Sequence, residues 1–476
     1  MQEIDAIDHA VEPSLRIEKY FDDHRPDLVI ITPLVGVVAS SQLDVLRSAQ
    51  ARGIPTAVCV WSWDHLSSKA IIRDAPDRLF VWNDVQRQEA TSMHGVPEDR
   101  VVVTGAQCFD QWFDRAPSKS REAFFSRVGL RADRPYLLYL CSSLFRDTAN
   151  EAEFVERWVA AVRASTDPRL KDIGILIRPH PQRLQDWKSV DLTGYSNLVF
   201  WGAMPLDAES KNDYFDSMYY AASVVGLNTS AFLEAAIVGK PVHTVVEPEI
   251  STHNQEGTVH FHYLTTVGGG LLRVARDLDD HVGQLAETLA GEGGGDPKAA
   301  AFVEGFIRPF GRTVAATPKF VEAVERVGAM GRPAPQVQGF GDLLWRLPAY
   351  PLAGALHLML VTQPWRKDTR RGIRKALMDG RRRVFVELKQ FAQKQLGEKD
   401  PTPPTLGPQS ALTPKLGRQR DPAKKPVGWD LPEAEETREF INELGRSGRP
   451  ILLGPWLSET GFGVDTKTPS DSGRIR

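Results

Sequence analysis

The sequence contains little cysteine and no apparent leader. Only three cysteines, Cys59, Cys108 and Cys141, occur in 476 residues, and neither their spacing nor their odd number fits a disulfide framework. The opening stretch MQEIDAIDHAVEPS is acidic and lacks the apolar core of a secretory signal. We therefore expect reduced cysteines and a cytoplasmic protein.

The chain also lacks a global excess of one charge. Lys and Arg total 58 against 61 Asp and Glu, a net charge of −3, which gives no reason to expect nucleic acid as a partner. The 42% apolar content excludes a mainly disordered chain, and the length predicts two or three domains. Residues 1–331 hold 33 basic and 45 acidic residues, whereas residues 332–428 hold 19 basic and 7 acidic residues.

Several common catalytic and metal-binding motifs are missing. There is no Walker motif, no GxSxG, and no GxGxxG following a predicted strand. His253, His260 and His262 lie close together, but their spacing fits no zinc pattern. We expect His260 and His262 to share one face of a strand in a structural role, and we expect no metal site.

What the sequence does contain is a repeated alternation of short apolar runs with amphipathic segments. Such alternation is typical of α/β folds with parallel sheets covered by helices. It predicts two consecutive Rossmann-like units, residues 1–115 and 135–331, joined by a linker, residues 116–134. Strands are expected at 27–34, 55–61, 78–83, 100–105, 135–143, 172–181, 197–201, 223–227 and 241–246, and helices at 41–52, 84–94, 150–165, 214–223, 229–239, 278–290 and 317–327.

The sequence RPHP follows one of these strands directly. Arg178 offers a planar fork of donors, and His180 can donate a hydrogen bond or a proton, so a loop with both suits a phosphate. The prolines on either side of His180 restrict the backbone. Stabilisation of a turn is the alternative role.

Hydroxyl and amide side chains follow two further strands. Asn228, Thr229 and Ser230 precede a predicted helix, where side chains and backbone N–H groups together bind anions, although simple helix capping is the alternative. Glu234 lies one helical turn after Ser230 and can accept hydrogen bonds from ribose hydroxyls. Ser142 and Ser143 end the first strand of the second unit and are small enough to admit a diphosphate.

The first unit offers one comparable segment, WSWDHLSSK. Asp64 follows a strand and is the candidate base that takes a proton from an acceptor hydroxyl. Trp63, His65 and Lys69 are candidate acceptor-binding residues, and tryptophan packing into the core is the alternative.

Three stretches together resemble the GT-B glycosyltransferase superfamily over about residues 25–325. They are VWNDVQRQEATSMHGVPEDRVVVTGAQCFDQW at 81–112, the RPHP motif, and YYAASVVGLNTSAFLEAAIVGKPVHTV at 219–245. Within this superfamily the stretches resemble bacterial surface-polysaccharide glycosyltransferases; CDP-glycerol glycerophosphotransferases and UDP-GlcNAc 2-epimerases share the architecture.

The resemblance implies particular roles for these residues. Arg178 and His180 would contact the donor phosphates, Asn228, Thr229 and Ser230 would hold the diphosphate, and Glu234 would hold the ribose. Asp64 of the acceptor unit would be the base. No bound metal or other cofactor is expected, because in similar enzymes helix N-termini and basic side chains stabilise the leaving diphosphate.

The sequence departs from this pattern at both ends. The first unit lacks the usual opening strand and Gly-rich loop, whereas residues 449–476, read as one strand followed by a Gly-rich loop, resemble the start of another such domain. A truncated reading frame, or a second transferase cut short, would explain both features.

A basic region lies between the second predicted unit and the C-terminal segment 449–476. Residues 332–395 combine an apolar stretch, 343–362, with a run from Arg366 to Lys394 that holds eleven basic and three acidic residues. This pattern suits the anionic inner face of a membrane, and a solvated basic helix is the alternative. Residues 396–448 follow and are expected to form a proline-rich linker and a helix.

These observations favour a glycosyltransferase that moves a sugar from a nucleotide-diphosphate donor to a polysaccharide or lipid-linked acceptor. The expected location is the cytoplasm or the inner membrane surface. Three alternatives remain open: transfer of glycerol phosphate or polyol phosphate from a CDP donor, epimerisation of a nucleotide sugar without an acceptor, and a catalytically degenerate subunit that scaffolds a polysaccharide assembly complex.

Overall fold

The computed structural model of the chain describes residues 14–34, 42–143, 150–202, 205–291, 295–335 and 451–453. Within these ranges the chain divides into two compact units. Residues 14–104, 318–335 and 451–453 belong to the first unit, and residues 105–317 belong to the second. The predicted linker, residues 116–134, lies within the second unit.

The described strands are short and mostly buried. They are β1 Leu28–Ile31, β2 Thr56–Cys59, β3 Arg78–Val81, β4 Val101–Val103, β5 Tyr136–Leu140, β6 Gly174–Arg178, β7 Leu198–Phe200, β8 Ser223–Val225, β9 Val242–Val245, β10 Leu272–Ala275 and β11 Ile451–Leu453.

The α-helices connect and cover these strands. They are α1 Leu15–His24, α2 Gln42–Ala51, α3 Asp84–His94, α4 Asp110–Phe113, α5 Arg121–Val128, α6 Glu151–Ala164, α7 Pro168–Lys171, α8 Ala208–Tyr219, α9 Ala231–Ile237, α10 Pro248–Asn254, α11 Val259–Thr266, α12 Leu278–Ala290, α13 Pro297–Phe302 and α14 Ala316–Ala329.

The first unit is built on a parallel sheet in the order β11-β1-β2-β3-β4. Alternate residues of β1 face opposite sides of the sheet and both sides are buried: Val29 packs with residues of α1 and α2, and Ile30 packs with residues of α14. β11, in the segment where one strand was expected, pairs in parallel with β1 and aligns Ile451 with Leu28.

The second unit is built on a six-stranded parallel sheet in the order β10-β9-β8-β5-β6-β7. β6 and β7 follow β5 on one side of it in the sheet. β8, β9 and β10, which come later in the chain, lie on its other side. One face packs against α6 and α12, with Trp158 and Leu285 fully buried. The predicted fold class, two Rossmann-like α/β units, is confirmed.

Three local features differ from the predictions. His260 and His262 lie on α11 rather than on a strand, because His260, Phe261 and Leu264 form the buried side of a helix while His262 is exposed. β10 was not predicted at all, and α8 begins at Ala208 rather than near residue 214. The expectations for residues 336–450 and 454–476 lie outside the described residues.

Candidate functional site

The second sheet has a topological switch point between β5 and β8. These neighbouring strands continue to opposite sides of the sheet, and ligands of open α/β sheets bind where such strands end. The carboxyl ends of β5, β6 and β8 bring residues 141–143, 178–180 and 226–230 to one edge. Gly226 permits the close approach, since a Cβ there would lie 2.8 Å from the carbonyl oxygen of Leu140.

A hydrogen-bond network joins the ends of β5 and β8. Ser142 Oγ accepts from the backbone N–H of Asn228 at 3.3 Å and donates to Oε1 of Glu151 at 3.2 Å. Ser142 is fully buried, whereas Ser143 is exposed. The hydroxyl of Ser142 therefore shapes the loop from within, and Ser143 is the serine that a ligand can reach.

Glu151 was missed by the sequence analysis. Its carboxyl group also accepts from the backbone N–H of Ser142 at 2.8 Å and from the hydroxyl of Tyr139 at 3.2 Å. Burial raises the pKa of Glu151 to about 8, against the opposing effect of the hydrogen bonds from Ser142 and Tyr139. No sequence pattern marks this role, because an acidic residue in the first turn of a helix is ordinary.

Arg178 ends β6 and points into the protein interior. Its side chain is buried, with 6% of the residue exposed, and its guanidinium carbon lies 5.4 Å from the ring centroid of Trp201 and 5.0 Å from that of Tyr214. Burial lowers the pKa of Arg178 from its ordinary value. Contact between Arg178 and a donor phosphate stays a prediction; the structure places this cation between aromatic rings.

His180 follows Arg178 and is half-buried. Burial, and secondarily the positive charge of Arg183, lower the pKa of His180 below its ordinary value. The imidazole is therefore neutral at pH 7. In this form one ring nitrogen still donates a hydrogen bond, which is what contact with a phosphate oxygen requires, while the other can only accept one.

The loop after β8 is hydrogen-bonded to the segment that follows β9. The side-chain amide of Asn228 donates to the backbone carbonyl of Asn254. Gln255 Nε2 donates to the carbonyl oxygens of Leu227 at 3.0 Å and Val245 at 2.8 Å, which joins the ends of β8 and β9. Thr229 is half-buried and Ser230 is exposed at the start of α9. This fixed loop leaves Thr229 and Ser230 accessible.

Glu234 lies on α9 and is partly exposed. The hydroxyl of Tyr214 on α8 donates to Glu234 Oε2 at 2.5 Å. Burial raises the pKa of Glu234 to about 7, while the hydrogen bond from Tyr214 and the positive charges of Arg115 and Arg178 oppose the rise. The carboxyl group therefore changes its charge close to neutral pH.

The candidates of the first unit lie around a single turn of π-helix, His65–Lys69. The carboxylate of Asp64 forms an ion pair with Lys69 at 2.8 Å and accepts a hydrogen bond from Ser62 Oγ. Lys69 also lies 5.8 Å from the ring centroid of Trp61, whose side chain is exposed. Asp64 and Lys69 thus form a polar pair after β2.

Trp63 and His65 lie in the interior instead. Trp63 is 4% exposed and His65 is fully buried. His65 Nε2 lies 3.0 Å from the carbonyl oxygen of Leu34, and burial lowers the pKa of His65 to about 4. Both residues are placed to support the loop. Direct contact with an acceptor stays a prediction for Asp64 and Lys69.

Two further properties concern the described ranges alone. They contain no group of three His, Cys, Asp or Glu side chains arranged to hold a metal ion. They also contain no helix that is long and apolar enough to cross a membrane. Residues 343–395, for which the sequence predicts a membrane contact, lie outside the described residues.

No protein-family model and no curated protein sequence matches the chain. Among solved structures, the UDP-GlcNAc 2-epimerase of Methanocaldococcus jannaschii, in complex with UDP-GlcNAc and UDP, is 15% identical, with a TM-score of 0.42 over 66% of this chain and 79% of that chain. A glycosyltransferase from Rickettsia africae ESF-5 is 10% identical, with a TM-score of 0.42 over 68% of this chain and 81% of that chain.

A third similar structure is the wall teichoic acid polymerase TagF. It is 13% identical, with a TM-score of 0.31 over 58% of this chain and 59% of that chain. An epimerase and a glycosyltransferase, two kinds of enzyme indicated by the sequence resemblance, are thus among the structures similar to this chain. Likeness at this level describes the fold, and the activity has to be argued from the site itself.

Proposed function

We propose that the chain is a glycosyltransferase whose second unit binds the diphosphate and ribose of a nucleotide-sugar donor. The observation that carries the proposal is the convergence at one switch point of Ser143, His180, Thr229 and Ser230, with the Glu234 carboxyl group on the helix that follows. Hydroxyl groups and a neutral imidazole suit phosphate oxygens, and a carboxylate suits ribose hydroxyls. The acceptor is a glycan or a lipid-linked sugar.

The reaction follows from these groups. An acceptor hydroxyl oxygen forms a bond to the anomeric carbon of the sugar, the bond from that carbon to the diphosphate oxygen breaks, and the hydroxyl proton passes to a base. Asp64 of the first unit is the candidate base. His180 and the hydroxyl groups donate hydrogen bonds to the diphosphate as it gains negative charge. The proposal needs no bound metal.

Calorimetric titration of the full chain with UDP, GDP, CDP and CMP tests the proposal. We expect UDP or GDP to bind selectively, and we expect binding to persist in EDTA. His180→Ala should weaken it about tenfold or more, because a hydrogen bond to a charged phosphate is lost. Arg178 is a poor choice for this test, because its buried guanidinium makes the variant prone to misfolding.

Thr193→Ala is the matched control. Thr193 lies in the turn that leads to the amino end of β7, at the opposite edge of the same sheet, and should leave binding unchanged. Preference for CMP or CDP would favour polyol-phosphate transfer instead. If a folded sample binds none of the four nucleotides, the catalytic proposal is wrong and a scaffolding subunit is the better account.

A further inference from the structure

The hydrogen bond between Tyr214 and Glu234 joins two helices of the second unit. Tyr214 is on α8 and Glu234 is on α9, 20 residues further along the chain. The 2.5 Å contact engages only Oε2 of the carboxyl group. Within the described ranges no protein group donates a hydrogen bond to Oε1. Because Glu234 is partly exposed, a ligand hydroxyl can reach this second oxygen.

The ring of Tyr214 is held on two sides. The guanidinium carbon of Arg178 lies 5.0 Å from its centroid, and the ring of Trp112 meets it edge-on at 5.9 Å. A ring packed in this way keeps its hydroxyl at a fixed point. Arg178 therefore acts on Glu234 through the position of Tyr214, in addition to its charge.

The structure assigns to Tyr214 the role of a positioning residue: it fixes the Glu234 carboxyl group so that Oε1 accepts a hydrogen bond from a ribose hydroxyl of the nucleotide. This inference rests on the proposed function and deepens it, because it makes the site selective for ribonucleotides over 2′-deoxyribonucleotides or 3′-deoxyribonucleotides. The hydrogen bond from the ribose hydroxyl to Oε1 is directional. A glutamate side chain without the Tyr214 contact would populate several rotamers, and ordering it on binding would weaken this hydrogen bond.

The contact should also depend on pH. The groups that act on Glu234 are the Tyr214 hydroxyl and the cations Arg115 and Arg178, which lower its pKa against the effect of burial. The charge of Glu234 also acts on the Cys108 thiol, whose pKa is raised above its ordinary value, so this thiol stays neutral between pH 6 and pH 8. Loss of the Tyr214 hydroxyl raises the pKa of Glu234 above about 7 and favours the neutral acid.

The test compares each nucleoside diphosphate that binds with its 2′-deoxy and 3′-deoxy forms, by calorimetry of the full chain at pH 6 and pH 8. Both members of a pair carry the same diphosphate, so its own ionisation cancels in the affinity ratio. We expect the wild type to prefer the ribonucleotide about tenfold at pH 8, the size of one hydrogen bond to a carboxylate, and less at pH 6. Tyr214→Phe should reduce the preference at pH 8 to about threefold or less.

Two variants complete the design. Glu234→Ala removes the carboxyl group and should abolish the preference altogether. Tyr136→Phe is the matched control, because it removes another buried tyrosine hydroxyl bond, 2.6 Å to the carbonyl oxygen of Ser217, without touching Glu234. This control should retain the full preference of the wild type. Circular dichroism confirms that each variant is folded.

The outcomes separate the two proposals. If the wild type binds the ribonucleoside diphosphate and its 2′-deoxy and 3′-deoxy forms equally, Glu234 does not contact the sugar. This inference is then wrong, while the proposed transferase function stands. If Tyr214→Phe keeps the full preference that Glu234→Ala loses, Tyr214 merely packs and the inference is again wrong. If no nucleotide binds at all, the proposed function itself fails, and the inference fails with it.

Discussion

The indole Nε1 of Trp158 donates a hydrogen bond to Nε2 of His281 at 2.9 Å, and both side chains are fully buried. The ring of His243 meets that of His281 edge-on at 5.8 Å. Burial lowers the pKa of His281 to about 4 and that of His243 well below its ordinary value. The second unit thus encloses two neutral histidines, His281 on α12 and His243 on β9.

This arrangement predicts loss of stability in weak acid. The unfolded chain binds a proton at His281 near pH 6.5, whereas the folded chain does so only near pH 4. Above about pH 6.5 His281 is neutral in both states and the folded state keeps its full stability; as the pH falls toward 4, protonation of the unfolded chain lowers the free energy of unfolding. The free energy of unfolding can be measured by chemical denaturation at about pH 7.5 and at about pH 5. His281 should make it about 2 kcal/mol lower at the lower pH.

His281→Gln provides the comparison. Glutamine can still accept the Trp158 hydrogen bond but does not titrate, so the acid-dependent loss should shrink in this variant. An unchanged loss would show that His243, His65 or a carboxylate dominates the acid response instead.

A second prediction concerns Asp213 on α8, which is 6% exposed. Arg127 donates to its carboxylate from Nε at 3.0 Å and from Nη2 at 2.7 Å, and Lys119 Nζ lies 3.1 Å away. Asp213→Ala leaves both cations without this partner and should destabilise the chain by about 2 kcal/mol or more. Thermal or chemical denaturation measures the effect.

Glu209 is the natural control for Asp213. It binds the same Arg127 at 2.7 Å, but its side chain is 70% exposed. Solvent screens such a pair, so Glu209→Ala should cost less than about 1 kcal/mol. Equal losses in the two variants would contradict the importance of burial.

A third prediction concerns Gly202, which follows β7 with a φ of +127°. A Cβ at this position would lie 2.5 Å from the guanidinium carbon of Arg178. Gly202→Ala should therefore displace Arg178 from its place beside Trp201 and destabilise the second unit by about 1–3 kcal/mol. Gly194→Ala, where a Cβ has open space, should be nearly neutral in the same denaturation assay.

The position of Arg178 shows what the sequence could and could not predict. The end of β6 was predicted within a few residues, because a polar, proline-rich loop follows a β-branched run. The direction of the arginine was not predictable, since all five residues of β6 are buried and neither face of the strand is marked by polar side chains. Its aromatic neighbours come from the end of β7 and from α8, distant in sequence.

The two misassigned regions have different causes. His260 and His262 are spaced as on a strand, and the buried positions that define α11 are too few to mark a helical period. β10 follows three glycines with positive φ, and only its first and last residues are buried. A strand that is only partly buried at its centre and lies at the edge of a sheet gives a weak pattern.

The last prediction concerns the return of the chain to the first unit through α14. Val324 is 1% exposed and packs in one cluster with Ile30 of β1 and Cys59 of β2. Val324→Ala removes two methyl groups from this cluster and should cost about 2 kcal/mol. Glu325→Ala changes the exposed neighbour on the same helix and should be close to neutral.

Cys59 offers a local measurement of that change. Burial raises the pKa of the Cys59 thiol well above its ordinary value, so the reactive thiolate is scarce in the folded protein. Labelling with N-ethylmaleimide, located by peptide mass, should be slow at Cys59 in the wild type and in Glu325→Ala, and faster in Val324→Ala. Equal protection of Cys59 in all three proteins, with no loss of stability in Val324→Ala, would show that α14 does not cover this face of the sheet. If α14 does cover it, the loss of buried methyl groups lowers the free energy that keeps the helix closed, and Cys59 reacts faster.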